Sequence, residues 1–402
     1  MSSATTHQDR SLLVVVLDIS PYPWGERDLH RKATDRKRLA EGKISIGPAT
    51  IEDSMSSVLT FVLAFSSLNR DNCAVVVGVA DSEAAVLYPR KGGEMNLTDT
   101  VHDGSEIGGK VDAGGLHEGL KLGAADLVGR AAARAERAAA GAADSSASSA
   151  PPTSSPQIGA SIASGISLAL CVVNRFMVAA HGGVSALPSD HPLKRSGNDG
   201  GVLAALSASS TSMEGKRASR KIVEDRDEKR RLRGMPAPRV LVVQASEDRT
   251  GDYNALMNCA FAAVKGDVAI DGCFIPSGVK GQAKTSPFLE QCCDRTGGVF
   301  LTPSGAAQVG GALTEVMMTV FLPPLSIRKR LNLPALTKVD FRARCFEGGE
   351  SVDIAHVCNH CLSIFKNQPK DFCPTCGAEV RKNGSPKSTA GREQGPKRIK
   401  QS

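Results

Sequence analysis

The chain alternates between short, fully apolar runs and longer stretches in which apolar side chains recur every three or four residues. Residues 12–17 (LLVVVL) form a continuous valine-rich run that ends at the polar Asp18. This is the pattern of a strand buried on both faces of a parallel sheet. After a loop that holds the only tryptophan, Trp24, residues 51–68 carry Ile51, Met55, Val58, Leu59, Val62 and Phe65 on one helical face. The polar turn Asn69-Arg70-Asp71-Asn72 stops this helix. Residues 73–80 predict a second strand, and residues 85–88 a short third one paired to it as a hairpin across Asp81-Ser82-Glu83.

The character then changes. Residues 90–156 are dominated by Gly, Ala, Ser and charge and end in GAADSSASSAPPTSSP, which reads as a polar insertion. A helix follows, with Ile158, Ile162, Ile166, Leu170 and Val173 at helical spacing. Serines interrupt it and it falls short of the roughly 20 apolar residues of a membrane span, so a buried helix is expected. A second polar insertion covers residues 181–236 and includes EDRDEKRRLRG, the pattern of a solvated charged segment. Both insertions are expected to be mobile.

Regular alternation resumes at Arg239, with VLVVQ as a strand and residues 253–264 as a helix bearing Leu256, Cys259, Ala260 and Ala263 on one side. Val268, Ile270, Gly272 and Phe274 then alternate as a strand. Ser286-Pro287 has the chemistry of an N-cap followed by proline in the first turn, and Gly297-Gly298 ends that helix. Residues 299–301 give a last strand. Ser304 caps a final helix that Pro323-Pro324 terminates. Helices feeding successive apolar strands predict an α/β fold, a mostly parallel sheet with helices on both faces.

Composition adds three constraints. Hydrophobic residues make up 41% and charged residues 23%, the balance of a globular chain, and 402 residues allow about two domains. Aromatics are only 4%, which argues against a base-stacking platform. The net charge of +7 is concentrated in the tail: after Cys376, Arg381, Lys382, Lys387, Arg392, Lys397, Arg398 and Lys400 face only Glu379 and Glu393, a local +5. Eleven cysteines behind a polar N-terminus, MSSATTHQDR, point to a reducing compartment.

Four of those cysteines carry the clearest chemistry. Cys358-x-x-Cys361 and Cys373-x-x-Cys376 are separated by eleven residues. Each close pair brings two thiolates to one side of an ion, and two pairs close a tetrahedron with no open position, so one structural Zn2+ is expected. Buried free thiols or a redox pair would not explain two pairs at this spacing. His356 and His360 are read as bystanders. GSEIGGK at 104–110 mimics a phosphate-binding loop, but Val111 stands where Ser or Thr belongs and no buried strand precedes it. No enzyme signature remains, so no catalytic residue and no organic cofactor are expected.

Asp18-Ile19-Ser20-Pro21-Tyr22 resembles the Asp-x-Ser-x-Ser metal loop of von Willebrand A domains, with Tyr22 in place of the second serine. Ser246, Glu247, Asp248 and Asp252 could lend further oxygens, yet magnesium demands near-ideal octahedral ligands and is not expected here. With LLVVVLDISPYPWG, SLNRDN, LYP, CCDRTGGVFL, VFLPP, VDFRARCF, VCNHCLSIF and CPTCG, the chain resembles the von Willebrand A plus C4 zinc-finger subunit of the TFIIH core, the general transcription and DNA repair factor IIH. That resemblance implies a von Willebrand A-like domain over 11–325 and a four-cysteine zinc module over 338–382, while the polar start, 1–10, and the basic tail, 383–402, are expected to be disordered from their composition. It implies a non-catalytic nuclear scaffold, docked on the other von Willebrand A subunit of TFIIH, which supports the XPD helicase, in RNA polymerase II initiation and nucleotide excision repair. No membrane partner is expected. The alternative is a nucleic-acid-binding zinc protein that uses the module and the basic tail, and direct DNA contact stays open between the two.

Overall fold

The structure, a computed structural model, describes residues 11–41, 49–69, 72–81, 83–89, 111–144, 159–180, 237–276, 285–303, 310–328, 330–333, 342–346, 351–361 and 363–380. The chain divides into a larger unit that ends at Phe341 and a smaller one that begins at Arg342.

Six strands of the larger unit form one sheet in the order β3-β2-β1-β4-β5-β6. They are β1 (Ser11–Asp18), β2 (Cys73–Ala80), β3 (Glu83–Tyr88), β4 (Ala237–Gln244), β5 (Ala269–Phe274) and β6 (Phe300–Leu301). β1 runs parallel to both of its neighbours, with Val14 opposite Val75 on one side and Val240 on the other. β5 and β6 continue the parallel set, and β3 alone turns back, antiparallel to β2 as the hairpin reading requires. Because β1 is central, its alternating side chains feed two cores. Leu12, Val14 and Val16 face a cluster with Ile166, Leu256 and Leu289, whereas Leu13, Val15 and Leu17 face one with Phe61, Leu120 and Met317. Chain order reverses across β1 and β4, and a doubly wound sheet opens its ligand crevice at the C-terminal ends of the strands there.

The helices are α1 (Pro21–Ala40), α2 (Ile51–Leu68), α3 (Ala113–Asp144), α4 (Ile162–Ala180), α5 (Tyr253–Lys265), α6 (Pro287–Thr296), α7 (Gly310–Val316) and α8 (Leu325–Arg328), α7 continuing as a π-helical turn, Met317–Phe321. α2 starts in a capping box between Thr50 and Asp53. It is long and apolar enough to pass for a membrane span, but Val58, Phe61, Val62 and Phe65 are spent on the core. Ser286 accepts from the Leu289 N–H at the start of α6, and Gly297, in the left-handed conformation at φ 74°, ends it.

Two expectations need correction. The segment read as a loop around Trp24 is the first turn of α1, where Pro21 and Pro23 cost nothing because those N–H groups have no helical partner. Trp24 is buried. The second correction is α3, which lies inside the stretch read as a polar, mobile insertion. Its Leu116, Leu120, Leu127 and Ala131 are buried in the same core as Phe61. Gly119 and Gly123 make this fit possible, since a Cβ there would stand 2.7 Å from Leu87 O and 3.0 Å from Leu87 Cδ2. The 104–110 loop, Ser304, the second insertion and the basic tail fall outside the described residues.

Two buried arginines finish the lower edge of the sheet. Arg239 donates to the carbonyls of Phe321, Leu322 and Pro323, which the end of the π-turn leaves open. Arg328 forms a two-bond pair with Asp271 at 2.7 and 2.8 Å.

Candidate metal centre and the strand-end crevice

In the smaller unit, β7 (Ala343–Arg344) pairs with β8 (Ser351–Val352), and β9 (His356–Val357) with β10 (Ile364–Phe365). The second hairpin is what shapes the first cysteine pair. Cys358 N–H donates to Ser363 O at 2.9 Å across its turn. The backbone N–H groups of Cys361 and His360 point at Cys358 Sγ and pull its thiol down to about 6. A second tight turn repeats the device. Cys373 N–H donates to Ala378 O, Gly377 N–H to Cys373 O, both at 2.8 Å, and Gly377 takes φ 70° to close it.

These turns bring all four predicted sulfurs within 4.8 Å of one another. Cys358 Sγ lies 3.8 Å from Cys376 Sγ, and Cys361 Sγ 3.7 Å from Cys373 Sγ. A tetrahedral thiolate site with metal–sulfur bonds of about 2.3 Å has edges of about 3.8 Å, so the spacing fits one ion. The charge balance points the same way. Ala378 N–H pulls the Cys376 thiol down, but the neighbouring sulfurs of Cys361, Cys373 and Cys358 outweigh it and push it up to about 12. Four sulfurs this close are a set that can hold one metal ion between them. Ser363, buried, sets its hydroxyl 3.1 Å from Cys361 Sγ as a supporting contact. His356 and His360 are exposed and outside the cluster. A fifth cysteine, Cys345, is buried and accepts from Lys366 N–H at 3.3 Å, so it serves packing. Of the apolar side chains around the cysteines, Val357 and Phe372 are exposed and Phe365 is buried.

At the crevice of the larger unit the fit is reversed. Asp18 is buried, and Ser20 N–H donates to its Oδ1 at 3.0 Å. Its Oδ2 receives Ala245 N–H, Ser246 N–H and the Ser246 hydroxyl at 3.0, 2.6 and 2.5 Å. Ser20 Oγ accepts from Asp81 N–H at 3.1 Å. Of the other predicted oxygens, Asp248 binds Gln244, Ser286 and Phe288 N–H, while Asp252 faces Arg249. Tyr22 is exposed and hydrogen-bonds to Glu26, which with Glu247 raises its pKa. The Asp18 and Asp248 oxygens that a hard cation would need are therefore occupied by N–H and O–H donors and Asp252 faces Arg249, so the residues do not supply the octahedral set a divalent ion demands.

A doubly wound sheet with a degenerate Asp-x-Ser crevice, in a chain that also carries a four-cysteine centre, defines a von Willebrand A-like protein with an added cysteine cluster. The family model for transcription factor Tfb4 matches residues 10–377, and the chain belongs to that family. It is 37% identical over 142 residues to general transcription factor IIH subunit 3 of Dictyostelium discoideum, covering 35% of each chain. It is 41% identical over 143 residues to general transcription and DNA repair factor IIH subunit TFB4 of Arabidopsis thaliana, covering 36% of this chain and 44% of that one. These two alignments span less than half of either relative. The match to subunit TFB4 of Debaryomyces hansenii is longer, 26% identical over 397 residues, 94% of this chain and 87% of that one. A solved TFIIH p34 N-terminal domain aligns with TM-score 0.43 and 16% identity, over 79% of this chain and 100% of that one. The fold assignment rests on strand order and register.

Proposed function

We propose that this chain is a non-catalytic scaffold subunit of the TFIIH core, acting in RNA polymerase II transcription initiation and nucleotide excision repair. The observation that carries the reading is a family match that runs through both units, from residue 10 to residue 377. Relatives named as subunits of the same factor support it. The chemistry is consistent with docking: the crevice where this sheet class places its ligand is filled by the chain's own donors.

The four-cysteine centre is assigned to one structural Zn2+, held by Cys358, Cys361, Cys373 and Cys376. Soft thiolates in a closed tetrahedron suit zinc and leave no position for a reacting water. When bound, the ion supplies folding energy rather than catalysis. We assign residues 11–325 to the von Willebrand A-like domain, 338–382 to the zinc module and 383–402 to a basic nuclear tail. The direct partner is the other von Willebrand A subunit of the complex. The test is affinity capture of the full chain from nuclear extract, with co-eluting proteins identified. Recovery of the other TFIIH core subunits supports the assignment. Recovery of the chain bound only to nucleic acid, with affinity collapsing steeply as salt rises, supports the DNA-binding alternative instead.

A further inference from the structure

Arg27 is one of the largest fully buried side chains in the protein, and it sits at the strand-end crevice. It reaches there from the second turn of α1, one helical step beyond Trp24. Its Nη2 donates to the carbonyls of Ala245 and Ile275, the residues that directly follow β4 and β5. Its guanidinium lies over the Trp24 ring, 4.9 Å from the centroid, while Trp24 Nε1 donates to Asp18 O at 2.8 Å. Asp18 in turn accepts the N–H of Ser246, so the single Ala245–Ser246 peptide links the anion and the cation.

The arrangement is costly, which makes it informative. Arg27 Nε and Nη1 are buried without hydrogen-bond partners. Burial pulls the guanidinium down to about 10, against the opposing pull of Asp18 and Glu26, so it remains a cation at neutral pH. A buried charge with unmet donors is retained only where something offsets it. Here the offsets are the Asp18 carboxylate, two strand-end carbonyls and the indole face.

We infer that Arg27 is the resident cation of this crevice: its guanidinium occupies the role that a divalent ion holds in metal-loaded domains of the class, ties the ends of β4 and β5 directly and that of β1 through Trp24, and closes the site to Mg2+ and Mn2+. The loops at this edge are then held without any exchangeable ion, whichever partner the chain docks.

Trp24 is the only tryptophan, so its emission reports on this site alone. In the zinc-loaded full chain, titration with Mn2+, a paramagnetic quencher, is expected to leave Trp24 emission and the urea midpoint unchanged. Among variants, midpoints are expected to fall in the order wild type, Arg27→Lys, Arg27→Met, because lysine keeps the charge and methionine keeps only the bulk. A methionine variant that fails to fold while the lysine variant folds supports the same reading. Saturable Mn2+ quenching of the wild type that disappears in Asp18→Asn would overturn the inference. So would a methionine variant at least as stable as the lysine one, which would make Arg27 mere filler. If neither variant folds, the wild-type Mn2+ titration decides alone.

Discussion

Replacing Asp271 by valine should leave Arg328 charged, buried and without its partner. Both side chains are nearly sealed, at 3% and 5% exposure, so solvent screening does not dilute the pair. Breaking one half of a buried ion pair costs about 3–5 kcal/mol. For a domain of this size urea slopes run near about 3 kcal/mol per M, so the midpoint should drop by about 1–1.7 M. The double variant Asp271→Val/Arg328→Met should recover much of this. The carbonyls of Phe321 and Pro323, which Arg328 also binds, keep Arg239 as a donor. The group left clearly orphaned is Val299 N–H, now 2.8 Å from Asp271 Oδ1, at a cost of about 1–3 kcal/mol. A double-mutant cycle followed by Trp24 fluorescence should therefore give a coupling of about 2 kcal/mol or more. Additive effects, or a single variant within about 0.5 kcal/mol of wild type, would refute the reasoning.

Other consequences follow from single sites. Thr50→Ala removes the cap of α2 and should cost about 1 kcal/mol in urea unfolding. The Asp53 half of that box carries a pH signature: burial pushes its carboxyl up, but Thr50 and Arg31 outweigh it and hold it below 3.8. Its contribution should be complete above the ordinary value of 3.8 and fade as pH falls toward the lower folded value, so Asp53→Asn should lose stability at pH 6 but little at the acid end of a pH-dependent unfolding series. Cys373→Ser should abolish the one zinc per chain measured by elemental analysis and unfold the smaller unit, and an unchanged metal content would count against the ligand set. Deleting residues 383–402 should leave the unfolding midpoint in place and reduce nuclear accumulation in cells, and unaltered localisation would make the tail merely solubilising.

What could be read beforehand depended on whether the signal was local. The β1 run, the α6 cap at Ser286 with its stop at Gly297, and the cysteine spacing each lie within a few residues, and each is visible without tertiary context. α1 was hidden because the face it buries uses an arginine beside a tryptophan, which breaks the apolar periodicity that marks a helix. α3 was hidden by composition, since alanine and glycine dominate it. Yet Leu116, Leu120, Ala124, Leu127 and Ala131 do fall at helical spacing, a signal that could have found it. The sealing of Asp18 was legible only in part: Ser20 lies two residues on, but the bonds to Oδ2 come from Ala245 and Ser246, 227 and 228 residues away, and no local pattern marks those as donors.

If this chain works by docking within TFIIH, it should form a binary complex with the other von Willebrand A subunit on reconstitution. The zinc-loaded full chain is co-expressed with the other von Willebrand A subunit, purified through a tag on one partner, and the complex is sized. A stable one-to-one complex is expected, one that survives high salt and EDTA-free Mg2+ depletion and has an interface of at least about 1,000 Å². A pair that fails to associate, while zinc content and Trp24 emission show this chain intact, would contradict it.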